Sequence, residues 1–435
     1  MRASKTHGIV EEMRRVVLSL CLLAGLGVVP VALAWTTLTS GVQNTVVASI
    51  LVTQQGSELV SWDSPIGGTI SISRNHGPAK VLVSGDPAAN RTQLVQQPSG
   101  AIQLYYPNAQ GVGRLTSTND GQTWSANVQT QSHATGPVMA AAVAADGTPY
   151  FAQDSTAGVN VFRGLNGEYV KNVFPRCCGY AESLAVDSTG LVQTAFFSNA
   201  TADGTFLYER LGADLSPTGS TELKPTGQHT DRVPLVTDKL GNTFLAWPPG
   251  SPEATSLTVV PFRGGQPAGD GVSFHGPFTG GDPHMVLALD AQDRLWIVWT
   301  GGGAVHAARS RSHGEHFGAT VSVPVPGTMY QVSAAGIDGS PGSVDVVVNT
   351  GATLLQQALQ PGLSVKVSKT TKKAGKKKVV THFAQALDDG FPVPTARFRI
   401  AGRTYHANAQ GKAKVPVGSW KASAPGYVGA KVKIR

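Results

Sequence analysis

Charge is scarce in this chain. Only 14% of its 435 residues are Asp, Glu, Lys or Arg, well under the roughly 25% usual in soluble domains. Long runs of Ala, Glu, Lys and Leu at helical spacing are missing too, which excludes a helical protein. Cysteine is rarer still, at three residues. Glycine (51) and proline (27) abound instead. Such a composition describes many short strands joined by turns. The length exceeds that of one ordinary domain and is ample for a large core.

The first segment carries an export pattern. Arg14-Arg15 is basic, Val16 to Val31 is apolar, and Ala32-Leu33-Ala34 fits a cleavage site before Trp35. Met13 is the more usual start, directly before the arginines. Residues 1–34 are therefore expected to be a signal peptide, and the protein secreted or held at the cell surface. The alternative is an uncleaved anchor, because Val16 to Ala34 is 19 residues, near the ~20 that span a bilayer. Pro30 just before the Ala-x-Ala favours cleavage.

Export would leave Cys177 and Cys178 as the mature thiols, adjacent in Pro175-Arg176-Cys177-Cys178-Gly179-Tyr180. They are expected to close a strained vicinal disulfide, with free thiols as the alternative. Their neighbourhood holds too few ligands for a metal. No metal site and no cofactor are expected.

From Trp35 to about Gln360 the chain repeats. An apolar strand, a Gly/Asp turn and a second apolar strand recur, often followed by a polar hairpin. Leu235-Val236-Thr237-Asp238, Gly241, Phe244-Leu245-Ala246-Trp247 is one copy. Val286-Leu287-Ala288-Leu289-Asp290, Asp293, Leu295-Trp296-Ile297-Val298-Trp299 is another. The turns fall near residues 56, 100, 147, 190, 241, 293 and 339, a spacing of about 43–52 that marks propeller blades. One small twisted sheet cannot bury both faces, whereas sheets stacked radially can. The expectation is an all-β chain with a seven-bladed β-propeller at 35–360, or six blades if a terminal hairpin flanks the ring.

One stretch in this repeat is distinctive: Ser117-Thr118-Asn119-Asp120-Gly121-Gln122-Thr123-Trp124. Asn119, Asp120 and Gly121 suit a tight turn, and Trp124 is expected to begin the returning strand and fold its ring over the turn. The stretch resembles the Asp-box, S-x-D-x-G-x-T-W, of sialidase-type BNR-repeat propellers. Ser117, Gly121, Thr123 and Trp124 match; Asn119 stands where the family has Asp, with Asp120 beside it. Ser310, Gly314 and Phe317 outline a degenerate copy, and Ser73 to Gly77 keep less. These are expected to be structural turns. His313 and His316, three apart in the degenerate copy, are expected to be solvated rather than metal ligands.

The resemblance also implies a test for catalysis. Sialidases grip a carboxylate with three arginines and use a Tyr nucleophile with Glu, plus an Asp acid. Their Phe-Arg-Ile-Pro string lies early in the propeller. Here Phe398-Arg399-Ile400-Ala401 alone is similar, and it lies in the tail. Arg74, Arg91 and Arg114 are early but have no motif around them, so catalytic residues stay unassigned. Asp146, Asp187, Asp238 and Asp290 recur in the repeat as turn formers; a cation-binding ring of them is the alternative. Gly301-Gly302-Gly303 and Thr279-Gly280-Gly281-Asp282 lack the Lys-Ser/Thr of a phosphate loop.

Beyond residue 360 the composition changes. Twelve Lys and four Arg face only Asp388 and Asp389, a net +14, while the first 360 residues carry a net −6. Seven of these lysines lie between Lys366 and Lys378. Alternating segments such as Ala396-Arg397-Phe398-Arg399-Ile400 read as strands. Pro392-Val393-Pro394, Gly402, Gly411 and Pro425-Gly426-Tyr427 resemble the carboxypeptidase-regulatory-like, Ig-like β-sandwich modules of secreted bacterial proteins. A basic β-sandwich is expected at 361–435.

The reading that combines these is an exported, non-catalytic monomer binding an extracellular carbohydrate or protein ligand. Its alternative is an exo-acting, sialidase-type glycoside hydrolase with diverged motifs. The lysines would meet an anionic cell-surface polymer or lipid surface, or serve only as a solvated linker. Nucleic acid is not expected, because no stacking aromatics interleave with them.

Overall fold

The computed structural model describes residues 34–434 except 65–66, 87–90, 109, 131–139, 156–157, 166–168, 175–178, 199–203, 224–232, 249–254, 277, 279–283 and 375–376. Residues 1–33 and Cys177-Cys178 lie outside the described residues, and with them the export and disulfide readings. No helix among the described residues is long and apolar enough to cross a membrane.

The chain is all-β and builds a β-propeller. Among the described residues, seven antiparallel sheets follow one another between residues 36 and 359, each a meander of four strands except the five-stranded fifth. The first sheet shows the plan: Ser49–Val52 innermost, then Glu58–Ser64, Thr69–Arg74 and Lys80–Val83 outermost. The innermost strands of the later sheets are Gln93–Gln96, Ala140–Val143, Gly179–Val186, Leu235–Thr237, Met285–Leu289 and Gln331–Ile337. Each touches the next, and the last touches Ser49–Val52 again, so the ring closes. Closure is reinforced by chain order. Thr36–Ser40 crosses over to pair with Thr353–Leu359 as the outer strand of the seventh sheet.

Second strands are buried on both faces, and their sequences follow from that. Leu295 to Trp299 reads Leu-Trp-Ile-Val-Trp, and every one of these residues is buried. The odd and even side chains of a strand leave opposite faces, so each enters the core shared with a different neighbour. Ile297 and Trp299 pack with the fifth sheet, around Phe244 and Phe274. Trp296 and Val298 pack with the seventh, around Val344 and Val346.

Residues 364–434 form two further sheets around one core of Leu363, Ala386, Phe398, Val415, Trp420 and Ile434. Its longest element is a hairpin of Ser364–Ala374 and Lys377–Asp388. Six of the seven clustered lysines therefore lie on paired strands; Lys376 lies outside the described residues. Lysine is interspersed there with Val, Ser and Thr, and the two strands pair from Ser364↔Leu387 to Ala374↔Lys377.

Candidate functional site

The meander puts two kinds of turn at one end of the ring: the inner hairpins, between first and second strands, and the outer hairpins, between third and fourth. Inner hairpins repeat one geometry. The N–H of Thr53, Gln97, Ala144, Asp187, Asp238 and Asp290 donates to the carbonyl four residues on. The residue three further on takes a left-handed conformation, Gly56 at φ 82 and Asp293 at φ 57 among them. Asp187, Asp238 and Asp290 open these turns, and each accepts the N–H groups two and four residues ahead. Asp146 does not share that place. Ala144 occupies it, and Asp146 precedes the glycine, accepting only Thr148 N–H at 2.8 Å among these bonds. Turn formation therefore accounts for Asp187, Asp238 and Asp290; Arg294 Nε also reaches Asp290 Oδ2 at 2.5 Å.

The outer hairpins fasten one sheet to the next. Ser117 Oγ accepts Gly121 N–H at 2.9 Å, and Asn119 Oδ1 accepts Thr123 N–H at 2.9 Å. Trp124 Nε1 donates to Gly121 O at 3.2 Å. Trp124 itself lies in the turn, and the fourth strand starts later, at Val128. Asp120, at φ 58, turns away from its own backbone. It accepts the hydroxyls of Thr53 and Ser57 on the first sheet, and Arg74 Nη2 at 2.8 Å. Burial alone would raise its pKa, but the bonds from Ser57, Thr53 and Arg74 outweigh it and hold the carboxyl below the usual range.

The turn at Ser310 has the same wiring. Ser310 Oγ accepts Gly314 N–H at 3.0 Å, and Ser312 Oγ accepts His316 N–H at 3.0 Å. His313, at φ 50, stands where Asp120 stands. It is not simply solvated: Nδ1 lies 3.2 Å from Asp238 Oδ2 on the inner hairpin of the preceding sheet. Phe317 packs edge-on against Phe274, with centroids 5.0 Å apart. The stretch from Ser73 differs in its bonds. Ser73 Oγ donates to Gly77 O, and Gly77 N–H goes to Arg74 O.

The opposite end of the ring carries the loops between sheets. Residues 131–139, 175–178, 224–232 and 279–283 of those loops lie outside the described residues. Among the described residues, Asp63 and Arg91 meet there between the first two sheets. Asp63 is only 1% exposed. Burial pushes its carboxyl up to about 6 despite the charge of Arg91. In the unfolded chain it would titrate near 3.8, so between about pH 4 and 6 the folded state holds the extra proton. Stability is therefore expected to fall as pH rises through that window. Asp63→Asn should flatten that part of the pH–stability curve. An unchanged slope in denaturant titrations at pH 4.5 and 6.5 would refute it.

The three early arginines do not converge. Arg74 bonds Asp120 at the hairpin end, Arg91 stands beside Asp63 at the loop end, and Arg114 lies mid-strand opposite Tyr105. Tyr208 does not suit a nucleophile either. Burial pushes Tyr208 up to about 12, and its hydroxyl bonds Gln193 at 2.7 Å. Glu209 follows it on the strand, so it faces the other side, where Ser220 Oγ donates to it at 2.8 Å. Phe398 is buried in the tail core, with Arg399 exposed beside it.

Side chains that sequence reasoning missed lie at the seams. The tail docks on the sixth sheet through Arg309 and Asp388, 1% and 0% exposed. Between the first and seventh sheets, Glu58, His76 and Asp345 bring their ligand atoms within 4.8 Å of one another. Burial first, and the Glu58 charge second, push the Asp345 carboxyl up to about 8. Neither cluster has a sequence signal, since 79 and 269 residues separate Arg309 from Asp388 and His76 from Asp345.

No family model matches the chain, and no curated protein does. Among solved structures it is similar to virginiamycin B lyase from Staphylococcus aureus, at 13% identity over 74% of this chain and 99% of that one, TM-score 0.48. A streptogramin B lyase structure gives 14% over 75% and 97%, TM-score 0.49. The Aleuria aurantia lectin, in complex with Fucα1-6GlcNAc, gives 11% over 82% and 99%, TM-score 0.45. At these identities and scores none of the three assigns an activity, ligand or site residue to this chain.

Proposed function

We propose that the protein is an exported, non-catalytic β-propeller that binds a glycan or protein ligand outside the cell, and that its basic tail module holds it to an anionic surface polymer. In this reading residues 1–34 are a signal peptide, the seven sheets are seven blades, and residues 361–435 are a small β-sandwich. Ser117 to Trp124 is then an Asp-box, with a degenerate copy from Ser310 to Phe317.

The observation that carries the reading is the basic hairpin of Ser364–Ala374 and Lys377–Asp388. Lys366, Lys369, Lys372, Lys373, Lys377 and Lys378 are all exposed along it. Val379 and Val380, 50% and 48% exposed, lie among them. Paired strands hold these charges in fixed rows, which suits a repeating polyanion better than a flexible run would. Arg74, Arg294 and Arg309 of the ring, by contrast, are paired with Asp120, Asp290 and Asp388.

The test uses full-length protein on a polyanion column and a glycan array. Changing Lys372, Lys373, Lys377 and Lys378 together to Gln should lower the eluting salt concentration by about half, because each phosphate- or sulfate-type contact adds to the salt dependence. Glycan or protein binding by the ring should survive. Elution unchanged by the four substitutions would reject the surface role. Turnover of a fluorogenic sialoside would replace the binding reading with the hydrolase.

A further inference from the structure

The seam where the ring closes contains an electrostatic imbalance. Glu58 begins the second strand of the first sheet, and Asp345 sits on Ser343–Asn349 of the seventh. Their carboxyls face one another. Asp345 is fully buried, and its Oδ1 has no hydrogen-bond partner. Glu58 Oε2 is buried too, with His76 Nε2 2.8 Å away. Two carboxylates at such a seam require a shared proton, a protonated His76 or a bound cation.

We propose that Glu58, His76 and Asp345 form a binding site for a divalent transition-metal cation of the zinc type. The donor set is one imidazole nitrogen and carboxylate oxygens, the ligands that zinc accepts at about 2.0–2.2 Å. His76 Nε2 lies 2.8 Å from Glu58 Oε2, an ion-pair spacing that a bound zinc would open to the ~3.4 Å between two of its tetrahedral ligands. All three ligand atoms fall within 4.8 Å of one another, so a small movement of the partly exposed His76 side chain would set them around one ion.

The surroundings hold each ligand in place. Gln356 Nε2 donates to Asp345 Oδ2, which orients that carboxylate and leaves Oδ1 for the ion. Glu58 is pinned through its backbone: its N–H donates to Asn75 Oδ1 and its carbonyl accepts Asn75 N–H, both at 2.8 Å. His76 follows directly in the left-handed conformation, φ 58. Its side chain is 38% exposed, so the ion would enter from that side and keep a coordination position for water. Two ligands come from the first sheet and one from the seventh, so the ion would tie the two sheets that complete the ring.

The experiment uses the full chain without a histidine tag. Protein is dialysed against ZnCl2, freed of excess metal, and assayed for metal content and thermal midpoint. One zinc per chain is expected, with a midpoint that rises by several degrees and returns to its starting value with chelator. His76→Ala, at a half-exposed outer hairpin, should fold normally and lose at least tenfold in affinity. Glu58→Gln should do the same, which guards against a folding defect in either variant. Less than a tenth of an equivalent retained would overturn the proposal. Equal retention by wild type and His76→Ala would also overturn it, since the metal would then lie elsewhere. A midpoint unmoved by zinc in wild type would assign the seam to a shared proton or a protonated His76 and overturn it too.

Discussion

Arg309→Leu is expected to destabilise the protein by about 3–5 kcal/mol, the cost of removing one partner of a buried ion pair, and to release the tail module from the ring. Arg309 lies on Ala304–Ser310 of the sixth sheet, with its guanidinium over the Trp296 ring at 5.5 Å. Its Nη2 donates to Asp388 Oδ2 and its Nη1 to Pro341 O. Tyr427 donates to the same Asp388 oxygen at 3.1 Å. Burial lowers the arginine pKa and the Asp388 charge opposes that shift, so guanidinium and carboxylate support one another.

Without Arg309 the Asp388 charge would remain buried with the Tyr427 hydroxyl and, farther off at 3.6 Å, Arg311 Nη1. The neighbouring contacts are weaker substitutes. Asp389 accepts Arg311 N–H at 2.6 Å and the Ser312 hydroxyl at 3.0 Å. Removing both charges is a milder change, because no unpaired ion is left. Arg309→Met with Asp388→Leu should cost far less than either alone, and a double-mutant cycle measures the difference. Denaturant titration supplies the energies, and limited proteolysis between the ring and the tail reports undocking. A loss under about 1 kcal/mol in Arg309→Leu, with protease resistance kept, would show that apolar contacts alone seat the tail.

Gly121→Ala and Gly314→Ala are expected to cost about 2–5 kcal/mol each. Two terms add. A left-handed alanine costs about 1–2 kcal/mol, and both glycines are left-handed, at φ 78 and 77. Overpacking adds about 1–3 kcal/mol. A Cβ on Gly121 would lie 2.6 Å from Leu59 Cδ2, and one on Gly314 would lie 2.8 Å from Phe244 Cε1. Leu59 and Phe244 hold matching places, second in their strands, on the sheet that precedes each turn. Both residues are buried and have no room to yield.

Gly56→Ala separates the two terms. Gly56 is also left-handed, at φ 82, yet nothing lies within 4 Å of its Cβ position. It should cost only the conformational term, about 1–2 kcal/mol. Thermal and denaturant unfolding of the three variants decides the matter. If Gly56→Ala proves as costly as the other two, close contact with the neighbouring sheet is not what the outer turns provide.

Much of this architecture was legible in one dimension. Gly56, Gly100, Gly147, Gly190 and Gly241 mark the inner hairpins because a left-handed residue is needed there and glycine takes that conformation at no steric cost. The strand runs were legible because burial on both faces leaves no polar alternation, as at Leu295 to Trp299. Asp146 misled because a nearby Asp-Gly pair mimics the repeat while sitting two residues out of step. His313 and Asp120 misled for another reason. A polar residue in a turn normally bonds its own backbone, and only the neighbouring sheet shows that these two reach across instead.

The sequence by itself determined the all-β character, the spacing of the sheets, and the split between a near-neutral-to-acidic ring and a basic tail. Those properties reside in local pattern: strand period, turn residues and the count of charges along the chain. Tertiary structure alone decided which residues meet. Arg309 with Asp388, Asp120 with Thr53 and Ser57, and Glu58 and His76 with Asp345 join segments from different sheets. Closing a ring brings its first and last sheets into contact, and no local pattern in a chain records which side chains that closure will set against one another.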